Sequence, residues 1–155
     1  MTSTDIRPAR AEDAVRIREI AAGTEMFRPD ELDWFGAMIA TQLAEPGEAI
    51  WRVAGPGPDG AAYAEPEPMA EGIWNMRFIG VAPAARRTGL ARALIGEIEA
   101  AVRAAGARML IIETSSEPAF VPARTLYLSL AYEEEARLRD WYGPNDAKVV
   151  FRKLF

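Results

Sequence analysis

Apolar side chains recur at the three- and four-residue spacing of an α-helix in three stretches of the chain. The first covers residues 11–23. The second begins at Pro29, which suits the first helical position because proline has no backbone N–H to lose there. The third follows residue 90, ends at Gly106 and has the clearest periodicity. A shorter helix is predicted within residues 123–132, so the chain should contain about four helices.

Shorter apolar runs bounded by glycine and proline separate these helices, a pattern typical of β-strands. The run of residues 109–112 is apolar throughout, which predicts a strand buried on both faces, as in a central parallel pair. The element order is βααβββαβαββ, which indicates an α+β fold with six to seven strands. The predicted strands lie at residues 5–10, 49–54, 60–63, 72–82, 109–112, 132–138 and 148–154.

Composition limits the architecture and the chemistry. The chain has 155 residues, half of them hydrophobic, which predicts one domain over residues 1–155. It contains neither cysteine nor histidine, so disulfides and thiolate nucleophiles are excluded, and the usual neutral-pH base and the commonest metal ligand are missing. Proton transfer must therefore use carboxylates, tyrosine, lysine, termini or water, and no metal site is predicted.

The charge balance argues against two classes of partner. A net charge of −5 and an isoelectric point near 4.9 disfavour binding to nucleic acid or to anionic membranes, because both depend on a concentrated positive field. Residues 1–5 do not begin a basic and then apolar signal segment, and no apolar run approaches the roughly 20 residues that span a bilayer. A cytoplasmic protein is expected.

A short basic and glycine-containing loop joins a predicted strand to the most periodic helix. Small residues let the backbone approach an anion, the arginines add positive charge, and the free N–H groups of the new helix point at phosphate oxygens. An arginine pair in a surface loop is more often only solvated, but the glycine and the following helix favour phosphate binding by the backbone. The loop residues are Arg86, Arg87, Thr88, Gly89, Leu90 and Ala91.

The spacing of Arg86, Gly89 and Ala91 fits the pattern Gln/Arg-x-x-Gly-x-Gly/Ala and resembles the pyrophosphate loop of the GNAT superfamily of acyl-CoA-dependent N-acetyltransferases. Residues 127–132 resemble the family's Tyr-x-x-x-Gly-Phe signature, with Ala131 in place of the glycine and a tyrosine in place of the phenylalanine. Phe120 stands where many members carry an asparagine that orients the cofactor. The resemblance implies one GNAT-like domain whose mixed sheet splays at the cofactor site.

The resemblance also implies a reaction, in which an amine attacks the thioester of acetyl-CoA, the co-substrate, and takes the acetyl group directly. Backbone N–H groups near Ile79 and Val81 would polarise the thioester, with Gly80 allowing a bulge there. Tyr127 would protonate the departing thiolate, because a tyrosine of ordinary pKa stays protonated at neutral pH. Core packing is the alternative role for this ring.

Glu113 is the candidate general base, since it ends the predicted buried strand where desolvation is expected to raise its pKa. Glu65, Glu67 and water are rivals for this role. The cofactor's pantetheine arm is expected either to meet Ser115, Ser116 or backbone in place of the missing asparagine, or to lie against Phe120.

The acceptor is less well defined by the sequence. A small-molecule or peptide amine is expected, and five aromatic residues could wall its pocket: Phe27, Trp34, Trp74, Trp141 and Tyr142. A homodimer is common among proteins that the chain resembles. Two other functions stay open: a noncatalytic acyl-CoA-binding or regulatory module, and a Rossmann-type nucleotide-binding protein, although the Gly-x-Gly-x-x-Gly fingerprint of the latter is absent.

Overall fold

Seven strands form one mixed sheet flanked by four α-helices within residues 5–45 and 47–155, the part of the chain that the computed structural model describes. The expectation about a signal segment in residues 1–4 lies outside this part. The observed order βααβββαβαββ agrees with the predicted one. The elements are β1 (Ile6–Pro8), α1 (Ala14–Gly23), α2 (Pro29–Ala44), β2 (Ile50–Ala54), β3 (Gly60–Pro66), β4 (Ile73–Val81), α3 (Leu90–Ala104), β5 (Met109–Ser115), α4 (Val121–Ser129), β6 (Glu133–Gly143) and β7 (Asp146–Leu154).

The sheet opens into a wedge at its centre. Its strand order is β1-β2-β3-β4-β5-β7-β6, in which β4 and β5 are parallel and all other neighbours are antiparallel. The parallel pairing runs only from Ile73 opposite Met109 to Met76 opposite Ile112. Both strands continue past this point without pairing to each other. The predicted splaying is therefore confirmed, and the free edges of β4 and β5 face each other across the wedge.

A β-bulge in β4 sets which side chains face the wedge. Tyr63 pairs with Phe78 but its neighbour Ala64 pairs with Met76, so Arg77 is an extra residue in the strand. The insertion reverses the alternation of side chains. Met76 packs against α3, whereas Phe78 packs with α1 and α2 on the other face.

Two apolar cores cover the two faces of the sheet. On one face, the periodic stripe of α3 contributes fully buried Leu94, Ile95 and Ile98. On the other, α1 and α2 cover only β2, β3 and β4, with Ile17 and Ile39 fully buried. Among the helices of residues 5–45 and 47–155, none covers the half of that face formed by β5, β7 and β6.

Three sequence predictions need correction. The strand of residues 109–112 is fully buried on one face only, and Met109 and Ile111 stay half-buried because α1 and α2 do not reach β5. The strand predicted at 132–138 extends to Gly143, since an exposed edge strand lacks the apolar alternation that marks its length. The fourth helix begins at Val121 rather than near residue 123.

Candidate active site

The wedge forms a cleft of about 660 Å³. The loop between α1 and α2, the diverging strands, the start of α3 and the start of α4 all contribute to its walls. The cleft brings together nine of the residues that the sequence singled out: Phe27, Ile79, Gly80, Val81, Arg86, Ala91, Glu113, Phe120 and Tyr127.

The loop before α3 presents open backbone amides. Gly89 is the N-cap residue, with φ of 82° in the left-handed region, and its helix has no side-chain cap. A Cβ built on Gly89 would meet no atom within 4 Å, so the space beside it is open. The first-turn amides of α3 have no partner inside the helix and are free for an anion. The neighbouring hydroxyl of Thr88 donates to the carbonyl of Ala85 at 2.6 Å.

The two arginines of the loop have different surroundings. Arg86 donates through Nη2 to the carbonyl of Gly23 at 3.0 Å, so its side chain braces the last turn of α1. Arg87 adopts φ of 63° and is exposed. Leu90 turns its side chain into the core, which leaves only its amide for a ligand. The loop can thus offer backbone groups more readily than guanidinium groups.

Gly80 is required by the packing beneath β4. A Cβ at this position would lie 2.6 Å from Cζ of Phe78 and 3.2 Å from methyl carbons of Ile20 and Thr24. Ile79 and Val81 are half-buried on the opposite side, against α3. Because β4 has no parallel partner here, its backbone groups on the wedge side are free to bind an acyl oxygen.

Tyr127 is held rigidly at the base of the cleft. Its ring is 4% exposed and meets the rings of Phe151 and Tyr132 edge-on, at centroid distances of 5.5 and 6.3 Å. Burial raises the pKa of Tyr127 to about 12. The hydroxyl therefore stays protonated across the physiological range.

The turn after α4 is tight although alanine and tyrosine stand at residues 131 and 132. Ala131 adopts φ of 71°, a conformation that favours glycine, and the amide of Tyr132 donates to the carbonyl of Tyr127 at 3.1 Å. The hydroxyl of Tyr132 donates to Oε2 of Glu99 at 2.7 Å, and Lys153 lies 3.1 Å from Oε1 of the same glutamate. This network fixes the turn that positions Tyr127.

The expected rise in the pKa of Glu113 is wrong. Burial alone would raise it, but hydrogen bonds from Lys148 and Asn75 and the charges of Lys148 and Arg77 outweigh burial and hold the pKa below its ordinary value. Lys148 Nζ lies 2.6 Å from Oε2, and Asn75 Nδ2 donates to Oε1 at 3.1 Å. Glu113 is therefore an ionised carboxylate at neutral pH.

Arg77, the bulge residue, links three carboxylates beside the cleft, a role that the sequence did not reveal. Its guanidinium nitrogens lie 3.0 Å from Glu65, 3.1 Å from Glu67 and 3.5 Å from Glu113. Asn75, also missed, donates to Glu67 at 2.8 Å. In the sequence, the signal for this role was the presence of two polar residues, Asn75 and Arg77, inside an otherwise apolar strand.

Phe120 lines the cleft at the N-cap of α4. The two serines named as substitutes for the missing asparagine are engaged elsewhere. Ser115 Oγ lies in hydrogen-bond distance of Asp146 Oδ1, and Ser116 Oγ accepts from the amide of Ala147 at 2.8 Å. The ring of Phe120 is therefore the group that lines the cleft where the asparagine was expected.

The five candidate acceptor aromatics do not form one pocket. Phe27 lines the cleft, stacked on a core phenylalanine, whereas Trp74 is buried in the core on the α3 face, so its predicted place in the pocket is wrong. Trp141 covers Lys148, whose Nζ is 4.0 Å from the ring centroid. Trp34 and Tyr142 are exposed.

No helix within 5–45 and 47–155 is both long and apolar enough to cross a bilayer. In the same ranges, no three acidic side chains are grouped so that they could hold a metal ion.

Comparison with known proteins adds independent information. The sequence profile of the acetyltransferase (GNAT) family matches residues 18–132. A GNAT-family protein from Desulfovibrio desulfuricans superposes with a TM-score of 0.92 at 29% identity, covering 98% of this chain and 99% of that one. The ribosomal-protein-S18-alanine N-acetyltransferase of Escherichia coli has a TM-score of 0.81 at 17% identity, covering 98% and 94%. The structure of an acetyltransferase from Salmonella typhimurium with its cofactor acetyl-CoA superposes with a TM-score of 0.79 at 17% identity. The match covers 99% of this chain and 94% of that one. No curated protein matches the chain.

Proposed function

The chain belongs to the GNAT family of acyl-CoA-dependent N-acetyltransferases, and from this premise we propose that it moves the acetyl group of acetyl-CoA directly to a primary amine. One observation carries the proposal: the amide-rich start of α3, the free edge of β4 and the Tyr127 hydroxyl converge on one cleft. The backbone of residues 87–91 would hold the diphosphate, and Phe120 would support the pantetheine arm.

The proposed chemistry needs only this chain's own groups. The amine nitrogen attacks the acetyl carbonyl carbon, and free N–H groups near Ile79 and Val81 stabilise the oxyanion. The carbon–sulfur bond then breaks, and Tyr127 donates its proton to the leaving thiolate. Glu113 is proposed to hold the attacking amine by a hydrogen bond and to receive its proton. Its low pKa makes it a weak base, so its main contribution is orientation.

Calorimetry on two matched variants tests the proposed donor site. Calorimetry should give much weaker acetyl-CoA binding to Gly89→Glu than to wild type, because the added carboxylate would occupy the diphosphate site. Gly106→Glu is the control, since Gly106 also has positive φ and open space but lies at the other end of α3. Equal affinity of all three proteins would contradict the proposal.

Free thiol released from acetyl-CoA in the presence of amines separates the enzyme from a noncatalytic acyl-CoA-binding module. Amine-dependent release supports the transferase, and tight binding without release supports the module. The cytoplasmic location and the homodimer remain predictions from the sequence.

A further inference from the structure

Arg86 joins the end of α1 to the loop before α3, two segments that lie 63 residues apart in the chain. Its Nη2 donates to the carbonyl oxygen of Gly23 at 3.0 Å. Gly23 is the last residue of α1, where carbonyl groups lack partners inside the helix and form the negative end of its dipole. The guanidinium suits this position because it supplies both a donor and a positive charge.

The α1–α2 loop, residues 24–28, continues directly from this junction, and its first four residues line the cleft. A Cβ built on Gly80 would lie 3.2 Å from the methyl carbon of Thr24, so the loop packs against β4 between the two amides proposed to bind the acyl oxygen. At the other end of the loop, the ring of Phe27 stacks on Phe35 with a centroid distance of 4.9 Å. The junction at Arg86 therefore bears on the wall of the cleft nearest the reacting centre.

The guanidinium of Arg86 keeps donors for a second partner. An arginine side chain has five N–H donors in a planar fork, and the bond to Gly23 uses one of them. The side chain is exposed and lines the cleft, directly before the backbone amides of residues 87–91 that are proposed to hold the diphosphate. A phosphate oxygen can therefore accept from the same guanidinium while the bond to Gly23 is kept.

Building on the proposed function, we propose that Arg86 is a positioning residue whose guanidinium binds the diphosphate of acetyl-CoA and the Gly23 carbonyl together, so that donor binding fixes the α1–α2 loop. The bond to Gly23 keeps the methyl group of Thr24 against Gly80. A loop that one ligand has already ordered costs less to order for the next. Donor binding thus prepares this wall of the cleft for the amine, and each substrate tightens the binding of the other.

Hydrogen exchange with and without coenzyme A tests the link and needs no acceptor. Coenzyme A at a saturating concentration, set by calorimetry for each protein, should slow exchange at residues 24–27 of wild type at least about threefold. Arg86→Met removes the guanidinium and keeps an unbranched side chain, so it should lose this slowing while the protection of residues 119–127 remains. Arg86→Lys keeps a long cationic donor and should restore the slowing in part.

Arg87→Met is the matched control, because it removes the same charge from the neighbouring exposed residue and leaves the bond to Gly23 in place. This variant should bind coenzyme A more weakly and, once saturated, still show slowed exchange at residues 24–27. Loss of the slowing in both methionine variants would overturn the inference, because the charge of the loop would then be its cause.

Two further outcomes would also overturn the inference. One is equal slowing at residues 24–27 in wild type and Arg86→Met, or no slowing there in wild type although residues 119–127 are protected. The other is an effect of Arg86→Met on these amides that is the same with and without coenzyme A, which would mean that the bond to Gly23 only stabilises the end of α1. Absence of protection at both segments of wild type would instead contradict the proposed donor site.

Discussion

At the scale of single residues, Tyr127 combines a buried ring with a hydroxyl at the cleft, which is the arrangement that a general acid needs. Tyr127→Phe should lower kcat about 100-fold with little change in KM for acetyl-CoA, because proton donation is lost and packing is kept. Thiol release measures both values. Tyr63→Phe is the control, since this buried tyrosine lies in the other core and its hydroxyl contacts Met38 rather than the cleft. An unchanged kcat in Tyr127→Phe would remove this assignment.

The pKa of Tyr127 also predicts a pH profile. Because burial raises this pKa to about 12, the acid stays protonated up to strongly alkaline pH. The rate should therefore show no alkaline fall due to Tyr127 below pH 10. A fall centred near pH 8 that Tyr127→Phe abolishes would contradict the expected protonation state.

Asp13 is the buried carboxylate that joins β1 to the start of α1. It accepts from Arg7 at 2.8 and 3.0 Å and from the amide of Arg10 at 2.7 Å, and the bond from Arg7 lowers its pKa below 3.8 despite burial. Because the pKa of Asp13 is lower in the folded than in the unfolded state, its ionised form stabilises the fold at neutral pH. This stabilisation is lost as the pH falls through the folded-state pKa.

Asp13→Ala should therefore reduce the free energy of unfolding by about 2 kcal/mol at pH 7. The difference from wild type should shrink as the pH falls through the folded-state pKa of Asp13, which lies below its ordinary value. Urea unfolding of both proteins at pH 7 and at acidic pH measures this difference in the free energy of unfolding. Glu12→Ala, at an exposed neighbouring position, should have little effect at either pH.

At the scale of elements, the bulge at Arg77 reverses which side chains of β4 face α3. Even-numbered residues such as Met76 face α3 before the bulge, and odd-numbered residues such as Ile79 do so after it. Deleting Arg77 should place either Met76 or Phe78 on the wrong face and cost about 4 kcal/mol or more. Arg77→Ala keeps the bulge and loses only partly exposed ion pairs, so it should cost about 1 kcal/mol. Thermal unfolding followed by circular dichroism compares the two. Equal stability of both variants would show that the bulge does not set the register.

The sequence predicted the order of elements and the position of the loop before α3 because both depend on local patterns. Helical periodicity identified α3, and Gly89 marked its start. The bulge at Arg77 depends instead on pairing with β3, which no local pattern records. The low pKa of Glu113 arises from cations on β4 and β7, more than 30 residues away in the chain, so local reasoning about burial gave the wrong direction.

At the scale of the whole molecule, the negative net charge is unevenly distributed. The loop before α3 carries Arg86 and Arg87, whereas three carboxylates collect around Arg77. The net charge of −5 therefore describes neither surface.

The wedge also predicts how a bound donor changes the whole fold. In the described residues, four backbone pairs join β4 to β5, from Ile73 opposite Met109 to Met76 opposite Ile112, and α3 packs in the core that both halves of the sheet share. A donor spanning from α3 to α4 would bridge both halves. Acetyl-CoA should therefore slow amide hydrogen exchange at residues 78–81 and 119–127, while β1 and β2 stay unchanged. Gly89→Glu should lose this protection, and Gly106→Glu should retain it. Protection confined to the α3 loop would mean that the donor does not enter the wedge.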